Sequence, residues 1–271
     1  MIMGWNPLWI LAVVALVLSA VGFYKFVYFL SIGYGFAIAG IGVALTVLFA
    51  GQMQPVHYVL CALLFVYGAR LSGFLLYREI KNAAYRKTLA EATTSEKTMP
   101  VFVKAFIWVW VAALYVAQTS PVFYRLYNGA GDSVLPWIGA IISAAALVIE
   151  SLADSQKSAQ KAVDPGMVAT KGLYRMVRCP NYFGEILFWT GMFVGGLTAL
   201  NHWGQWLMAA LGYVAIVFIM FNGAKRLEKR QNARYGSLPA YRAYADKTPI
   251  ILPLVPIYHL DKAADAGEAK K

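Results

Sequence analysis

The sequence predicts an all-α, polytopic membrane helix bundle, and its composition and the arrangement of its apolar residues both support that class. Hydrophobic residues make up 60% of the 271 positions and charged residues only 14%. The apolar residues come in long blocks, whereas a soluble domain shows short amphipathic stripes. A chain that crosses a bilayer must satisfy its own backbone hydrogen bonds, which favours helices. We therefore expect an integral membrane protein.

About seven apolar blocks are long enough to cross roughly 30 Å of hydrocarbon. The predicted transmembrane helices are residues 9–24, 29–49, 59–76, 101–117, 134–152, 182–200 and 206–221. The second of them carries several glycines, which are typical of helices that pack closely in membranes. We interpret residues 1–260 as one transmembrane domain, with the ligand-binding segment in its C-terminal half, 150–258. Residues 261–271 are expected to form a disordered tail.

The distribution of Lys and Arg predicts the orientation of the bundle. With the N-terminus outside and the C-terminus in the cytoplasm, nearly all loop cations lie on the inner side, as the positive-inside rule requires. Arg125 alone falls in an outward loop, which we predict over residues 119–132. The net charge of +11 is then mainly a signal of topology, with attraction to anionic membrane lipid as a secondary effect. No nucleic acid is needed to explain it.

The most polar stretch near a predicted helix is residues 171–185. Its cations Arg175 and Arg178 can bind phosphates, and Asn181 offers both a donor and an acceptor. Pro180 favours a helix start at this point, and the free N–H groups of a helix N-terminus also prefer anions. The stretch therefore suits a ligand with phosphates and a polar head group at the membrane border.

A second polar group follows the inner end of the fifth predicted helix. Glu150, Asp154, Lys157 and Lys161 are spaced by four, three and four residues, which places them on one side of a continuing helix. Such a face is often only a solvated surface with paired charges. Its position on the same side as residues 171–185 favours a shared ligand site.

Tyr67 and Arg70 lie three residues apart in the third predicted helix. A charge inside a membrane is costly, so a function or a partner is the default expectation. The alternative is that Arg70 extends to the interface while Tyr67 only packs.

The remaining polar features restrict the function further. Tyr241 and Tyr244 predict a short C-terminal helix packed back on the bundle. The three histidines, His57, His202 and His259, fall in separate loops without ligand spacing, so we expect no metal site. The glycine-rich fingerprint of a soluble dinucleotide-binding domain is also absent.

Residues 172–185 resemble the signature of the steroid 5-alpha-reductase family. The matching residues are Gly172-Leu173-Tyr174 and Arg178-Cys179-Pro180-Asn181-Tyr182-Phe183-Gly184-Glu185. Further matches occur in the family's order and spacing at residues 153–157, at 234–236, at Tyr244 and at Pro253. The chain is most similar to the bacterial branch of that superfamily, which implies a bacterial inner-membrane protein.

The resemblance implies an NADPH-dependent reductase with its active site open to the cytoplasm. Its substrate would be a lipophilic enone, steroid-, sterol- or isoprenoid-like, that enters from the lipid. Tyr67 would hydrogen-bond the substrate carbonyl and stabilise the negative charge that develops on its oxygen. The residues implied in cofactor binding are Asp154, Asn181 and Glu185 at the nicotinamide and ribose end, Lys157, Lys161, Arg175 and Arg178 at the phosphates, and Arg226 and Glu228 where the pocket closes.

The sequence departs from the family at one point and leaves two alternatives open. Steroid reductases of the family carry a carboxylate on the second helix, but the first acidic residue here is Glu79, so Ser31 or Tyr34 would have to assist Tyr67. One alternative is an S-adenosylmethionine-dependent methyltransferase of the isoprenylcysteine carboxyl methyltransferase type, which this C-terminal half also resembles. The other is a non-catalytic lipid- or sterol-binding membrane protein.

Overall fold

The computed structural model describes residues 6–83, 85–86, 89 and 99–261, and this part of the chain is helical without a strand. Eight α-helices occur in it, which we number in chain order. They are α1 Leu8–Ser19, α2 Ile32–Phe49, α3 Pro55–Lys81, α4 Val101–Tyr127, α5 Val134–Val163, α6 Pro180–Gly196, α7 Trp203–Tyr235 and α8 Pro239–Ala245. Short 3-10 turns occur at Ala20–Phe23, Phe26–Leu30, Ala50–Gln52, Gly172–Arg175 and Leu197–Ala199.

Five helical segments in the described residues are long and apolar enough to cross a membrane. They are Phe26–Gln52, Pro55–Lys81, Val101–Tyr127, Val134–Val163 and Trp203–Tyr235. The first predicted span is the shorter apolar helix Leu8–Phe23, and the sixth is α6, which has 17 residues. The chain is therefore an all-α polytopic membrane bundle, as its composition predicts.

Contacts between Cα atoms divide the chain into two compact units. The first unit consists of Met1–Ile141 and Gly191–Tyr213, and the second of Ile142–Thr190 and Val214–Lys271. A single transmembrane domain over residues 1–260 stays a prediction. Except for Asp261, the predicted disordered tail lies outside the described residues.

In the first unit, glycines let α2 and α3 approach closely. A Cβ atom on Gly42 would meet the Cys61 carbonyl oxygen at 2.8 Å, and one on Gly68 would meet the Ala39 amide nitrogen at 2.6 Å. Ser72 in α3 also donates its hydroxyl to the Ile32 carbonyl of α2 over 2.7 Å. The prediction that the glycines of the second helix serve packing is confirmed.

The structure corrects the outer loop predicted over residues 119–132. α4 continues through Pro121 to Tyr127, so most of that stretch is helical. Pro121 has no N–H for the Ala117 carbonyl, four residues earlier. The Ser120 hydroxyl donates to this carbonyl over 2.7 Å, and the helix therefore continues.

Arg125 is consequently a buried residue of α4 and not a loop cation. Its side chain is 1% exposed. Nε donates to the Gly195 carbonyl over 2.7 Å, Nη1 donates to the Gly131 carbonyl over 2.8 Å, and Nη2 donates to the Thr198 hydroxyl. The guanidinium thereby joins α4 to the end of α6.

In the second unit, α5 is one continuous helix to Val163, as the spacing of its charged face predicts. Two glutamines of this helix hold the segment that follows it. Gln160 Oε1 accepts the backbone N–H groups of Thr170 and Lys171, each over 2.9 Å. Gln156 Oε1 accepts the Leu173 N–H over 2.8 Å. These bonds fix the polar stretch against α5.

The tyrosines at the end of α7 and in α8 pack within the second unit. Tyr235, Tyr241 and Val168 form a buried cluster, with Tyr244 at its edge. Tyr241 donates its hydroxyl to Asn232 over 2.6 Å, and Tyr244 donates to the Tyr174 carbonyl over 2.6 Å. This confirms the predicted C-terminal helix, α8.

Candidate functional site

The polar centre of the second unit is a hydrogen-bond network between α5 and the start of α6. The Asn181 amide donates to Asp154 Oδ1 over 2.5 Å. Tyr174 donates its hydroxyl to Asn181 Oδ1 over 3.2 Å, and the same hydroxyl lies 3.3 Å from the Ala153 carbonyl. Both polar atoms of Asn181 are therefore oriented. Asp154 on the charged face of α5 contacts Asn181 of the polar stretch, as expected if the two lie on the same side of the membrane.

Arg178 lies at the N-terminal end of α6 and is 3% exposed. Its backbone N–H donates to the Pro249 carbonyl over 2.8 Å, and that of Cys179 donates to the Ile250 carbonyl over 2.9 Å. Its Nη2 donates to Glu228 over 2.7 Å and to the Tyr258 carbonyl. Nε and Nη1 have no hydrogen-bond partner among the described residues. The site thus holds a buried cation, two of whose nitrogens have no acceptor among the described residues.

Two further carboxylates are buried in the second unit. Glu185, 7% exposed, accepts the indole N–H of Trp189 over 3.0 Å. Glu150 is 2% exposed and lies against Gly184, where a Cβ atom would meet the Glu150 Cγ at 2.5 Å. The glycine lets α6 pack directly on this carboxylate side chain.

Apart from Arg178, the cations predicted to bind the cofactor or to close its pocket divide into two kinds. Lys157, Arg175 and Arg226 are exposed, so they can meet an anion from solution. Lys161 instead donates to the Met167 carbonyl and, over 3.3 Å, to the Pro165 carbonyl. It also donates to the Tyr235 hydroxyl over 2.9 Å. In this structure Lys161 fastens the turn after α5.

The first unit contains a row of buried aromatic hydroxyls. Tyr67 of α3 is fully buried and donates its hydroxyl to that of Tyr34 in α2 over 3.2 Å. The Tyr34 ring packs against Tyr115 of α4, with 5.0 Å between ring centroids. Tyr115 donates to the Phe29 carbonyl. Of the two residues expected to assist Tyr67, Tyr34 is in contact, whereas Ser31 donates to the Val27 carbonyl over 2.8 Å.

Several residues of these networks are not apparent from the sequence alone. Tyr115 lies 81 positions from Tyr34, and no local pattern links them. His259 Nδ1 lies 2.9 Å from Glu228 Oε1, although its position in the C-terminal segment predicts no contact. Gln156 and Gln160 could have been found, since they lie on α5 close to the charged face.

The chemistry of the donor set fits a phosphorylated dinucleotide. Exposed cations and the spare donors of Arg178 suit phosphate oxygens, and Asp154 with Asn181 suits hydroxyl or carboxamide groups. No group of three His, Cys, Asp or Glu side chains that could hold a metal ion occurs in the described ranges.

Comparison with known proteins gives a family and a distant relative. The chain is 26% identical to an uncharacterized protein of Schizosaccharomyces pombe, in a match that covers 64% of this chain and 55% of that protein. The chain thus spans about half the length of this curated relative. No solved structure matches it. The family model described as "Protein of unknown function (DUF1295)" matches residues 15–248. The chain therefore belongs to the DUF1295 family.

Proposed function

We propose that this protein is a membrane-embedded, NADPH-dependent reductase of a carbon–carbon double bond in a lipophilic enone. The observation that carries the proposal is the Asp154–Asn181 pair at the start of α6. It provides an oriented amide and carboxylate, and the buried cation Arg178 lies three positions before Asn181 in the chain. The resemblance of residues 172–185 to the steroid 5-alpha-reductase signature supports the same reading.

In this proposal the second unit holds the cofactor through residues of two chemical kinds. Polar side chains hold the nicotinamide and ribose end, and cationic side chains hold the phosphates. The polar residues are Asp154, Asn181 and Glu185, and the cations are Lys157, Arg175, Arg178 and Arg226. Glu228 keeps the Arg178 guanidinium in place over 2.7 Å. When bound, NADPH supplies the hydride that the β-carbon of the enone accepts.

Tyr67 provides the electrophilic group. Addition of hydride at the β-carbon moves an electron pair onto the carbonyl oxygen, and a proton added at the α-carbon completes the reduction. A neutral phenol in a dry site stabilises the developing oxyanion by donating a hydrogen bond. Tyr34, whose oxygen lies 3.2 Å from that of Tyr67, can donate to Tyr67 once Tyr67 donates to the substrate.

The polar site and the apolar helices together suggest the kind of substrate. Tyr67 belongs to the long apolar helix α3 and packs against the Tyr34 ring of the equally apolar α2, which suits a steroid-, sterol- or isoprenoid-like molecule that enters from lipid. The distribution of Lys and Arg supports a site open to the cytoplasm. The resemblance to the bacterial branch of the superfamily suggests a location in a bacterial inner membrane.

Methyl transfer from S-adenosylmethionine is the competing reaction. That cofactor carries a single carboxylate and no phosphate, so it offers fewer anionic oxygens to the exposed cations and to Arg178 than a phosphorylated dinucleotide does. In a reductase, the phosphates of NADPH would give each of these cations an anionic partner. A lipid-binding protein without catalysis would also leave the Asp154–Asn181 pair without a ligand.

The direct test is product formation by the purified, detergent-solubilised protein. A panel of lipophilic enones is incubated with NADPH, and products are examined by mass spectrometry for the gain of two hydrogens. With 4-deuterated cofactor one of them should be deuterium. Asn181→Ala should lose this product, and Lys247→Ala, an exposed cation outside the proposed site, should keep it. Transfer of a methyl group from S-adenosylmethionine to a lipid would instead refute the reductase.

A further inference from the structure

The C-terminal residues 258–261, which we call the C-terminal strap, are tied to α7 by one buried carboxylate. Glu228 is 1% exposed. Its Oε2 accepts the backbone N–H groups of Leu260 over 2.8 Å and Asp261 over 3.1 Å. The strap is thus fastened by its own backbone to a charge inside the fold.

His259 of the strap lies between two carboxylates. Its Nδ1 is 2.9 Å from Glu228 Oε1 and its Nε2 is 3.2 Å from Asp246 Oδ1. The Asp246 side chain is 64% exposed and that of His259 is 29% exposed, so protons from solution can reach the imidazole.

The protonation state of His259 determines whether both contacts are favourable. A neutral imidazole has one N–H group and one acceptor nitrogen, whereas an imidazolium donates from both. Because carboxylate oxygens face both ring nitrogens, only the imidazolium makes two hydrogen bonds. Loss of the proton turns one contact into a repulsion between lone pairs. Histidine is the side chain that changes charge between about pH 5 and 8.

The strap also occupies a residue of the proposed cofactor site. The Tyr258 carbonyl accepts a hydrogen bond from Arg178 Nη2, the same nitrogen that donates to Glu228. Among the described residues, the charged groups in hydrogen-bond contact with His259 are Glu228 from α7 and Asp246 after α8, and Arg178 also binds Glu228. With His259 protonated, this cluster contains two cations and two carboxylates.

We propose that the C-terminal strap is a proton-operated latch on Arg178. With His259 protonated, the strap is closed over Glu228 and its Tyr258 carbonyl occupies Arg178. When His259 loses its proton, the strap opens and the Nη2 hydrogen that the Tyr258 carbonyl occupied becomes available to an anionic ligand, in addition to the Nε and Nη1 donors. Ligand binding by Arg178 rests on the proposed function, in which this residue binds the cofactor phosphates. The opening and closing of the strap do not depend on that function.

Hydrogen exchange of backbone amides tests the latch without any ligand. Exchange is measured at about pH 5.5 and about pH 8, on either side of the usual histidine range, and corrected for the intrinsic effect of pH. Protection of the Leu260 and Asp261 amides should fall about tenfold or more at the higher pH, because these amides lose their hydrogen bonds to the charged Glu228 carboxylate when the strap opens. The Ile250 amide, which donates to the Ile257 carbonyl over 2.8 Å, is the internal control and should keep its protection. Equal protection of the strap at both pH values would overturn the proposal.

Two variants separate a proton latch from a merely structural contact. In Asp246→Asn, a neutral His259 can donate from Nδ1 to Glu228 and accept the new amide at Nε2, so the strap should stay protected at both pH values. In His259→Ala it should be unprotected at both. If Asp246→Asn kept the wild-type pH dependence, another group would be the sensor and the latch would be refuted.

The consequence for binding is measured separately with NADPH at the same two pH values. Its affinity should increase with pH in the wild type relative to His259→Ala. A pH response equal to that of His259→Ala would overturn the link between strap and ligand. If NADPH did not bind at either pH, the proposed function would be refuted. The hydrogen-exchange result would still show whether the strap opens when the pH is raised.

Discussion

The hydroxyl of Tyr67 donates to the hydroxyl of Tyr34 over 3.2 Å, and the two rings meet edge to face with 6.0 Å between their centroids. The pair joins α3 to α2. It places a second phenol on α2, the helix on which the steroid reductases that residues 172–185 resemble carry a carboxylate. A phenol can support the donor role of Tyr67 without bringing a charge into the membrane, where a charge would be costly.

Tyr67→Phe should lower the turnover number for enone reduction by about 10²–10³, the usual effect of losing one donor to a developing oxyanion. Tyr34→Phe should cost less, roughly fivefold, because Tyr67 keeps its own hydroxyl. Steady-state kinetics on an enone identified by the product screen provide the measurement. Tyr124→Phe is the matched control, since that hydroxyl only faces the Met208 sulfur at 3.4 Å. Near-normal turnover by Tyr67→Phe would remove Tyr67 from the mechanism.

The Arg178–Glu228 and Lys25–Glu79 ion pairs should differ sharply in their contribution to the free energy of unfolding. Both side chains of the Arg178–Glu228 pair are at most 1% exposed, whereas Lys25 in the Lys25–Glu79 pair is 31% exposed. Glu228→Gln should therefore lower the free energy of unfolding by about 3–5 kcal/mol, because it leaves a buried charge uncompensated. Lys25→Met should cost about 0–1 kcal/mol. Denaturant unfolding in detergent measures both, and equal losses would contradict the burial of Arg178.

Arg125→Lys should destabilise the first unit although it keeps the charge. An ammonium cannot reproduce the planar fork that serves the Gly195 and Gly131 carbonyls and the Thr198 hydroxyl. We expect a loss of about 1–3 kcal/mol, the cost of leaving a buried polar group unsatisfied. The control Arg242→Lys, at an exposed position, should change stability by less than about 0.5 kcal/mol. Similar values for the two variants would contradict the buried position of Arg125.

Cys179 should resist alkylation in the folded protein. Burial raises the pKa of its thiol from 9.0 to about 12, so the reactive thiolate is scarce near neutral pH. Because the folded-state pKa is raised, the stabilising contribution of the thiol is complete below about pH 9 and is lost as the pH rises toward about 12. Mass spectrometry should show labelling of Cys179 by iodoacetamide only after denaturation. Rapid labelling of the native protein would show that the thiol is accessible.

The fold class and the polar centre could be predicted because their signals are local. Long apolar blocks mark the helices, and the four- and three-residue spacings around Asp154 continue α5 as the structure shows. The polar stretch of residues 171–185 is evident from its composition, and Asp154 of α5 contacts Asn181 in it, as expected.

The features that the sequence does not predict depend on side chains that satisfy backbone groups only in the folded chain. Pro121 is a local signal for a break, but the Ser120 hydroxyl replaces the missing N–H and the helix continues. Arg125 is a loop cation by sequence, and its burial depends on acceptors about 70 positions away. Lys161 was expected to bind a phosphate. Its spacing in the sequence does not indicate that it donates to the Met167 carbonyl, which follows α5.

The most direct test of the central claim is a thermal-shift titration of the detergent-purified protein with NADPH, NADH and S-adenosylmethionine. A ligand that binds only the folded state raises the unfolding temperature once its concentration exceeds the dissociation constant. The account predicts stabilisation by NADPH that is lost in Asn181→Ala and Glu185→Ala and kept in Lys247→Ala. Stabilisation by S-adenosylmethionine in place of NADPH would contradict the proposed reductase function. An unchanged unfolding temperature with all three ligands would contradict a cofactor site at the start of α6.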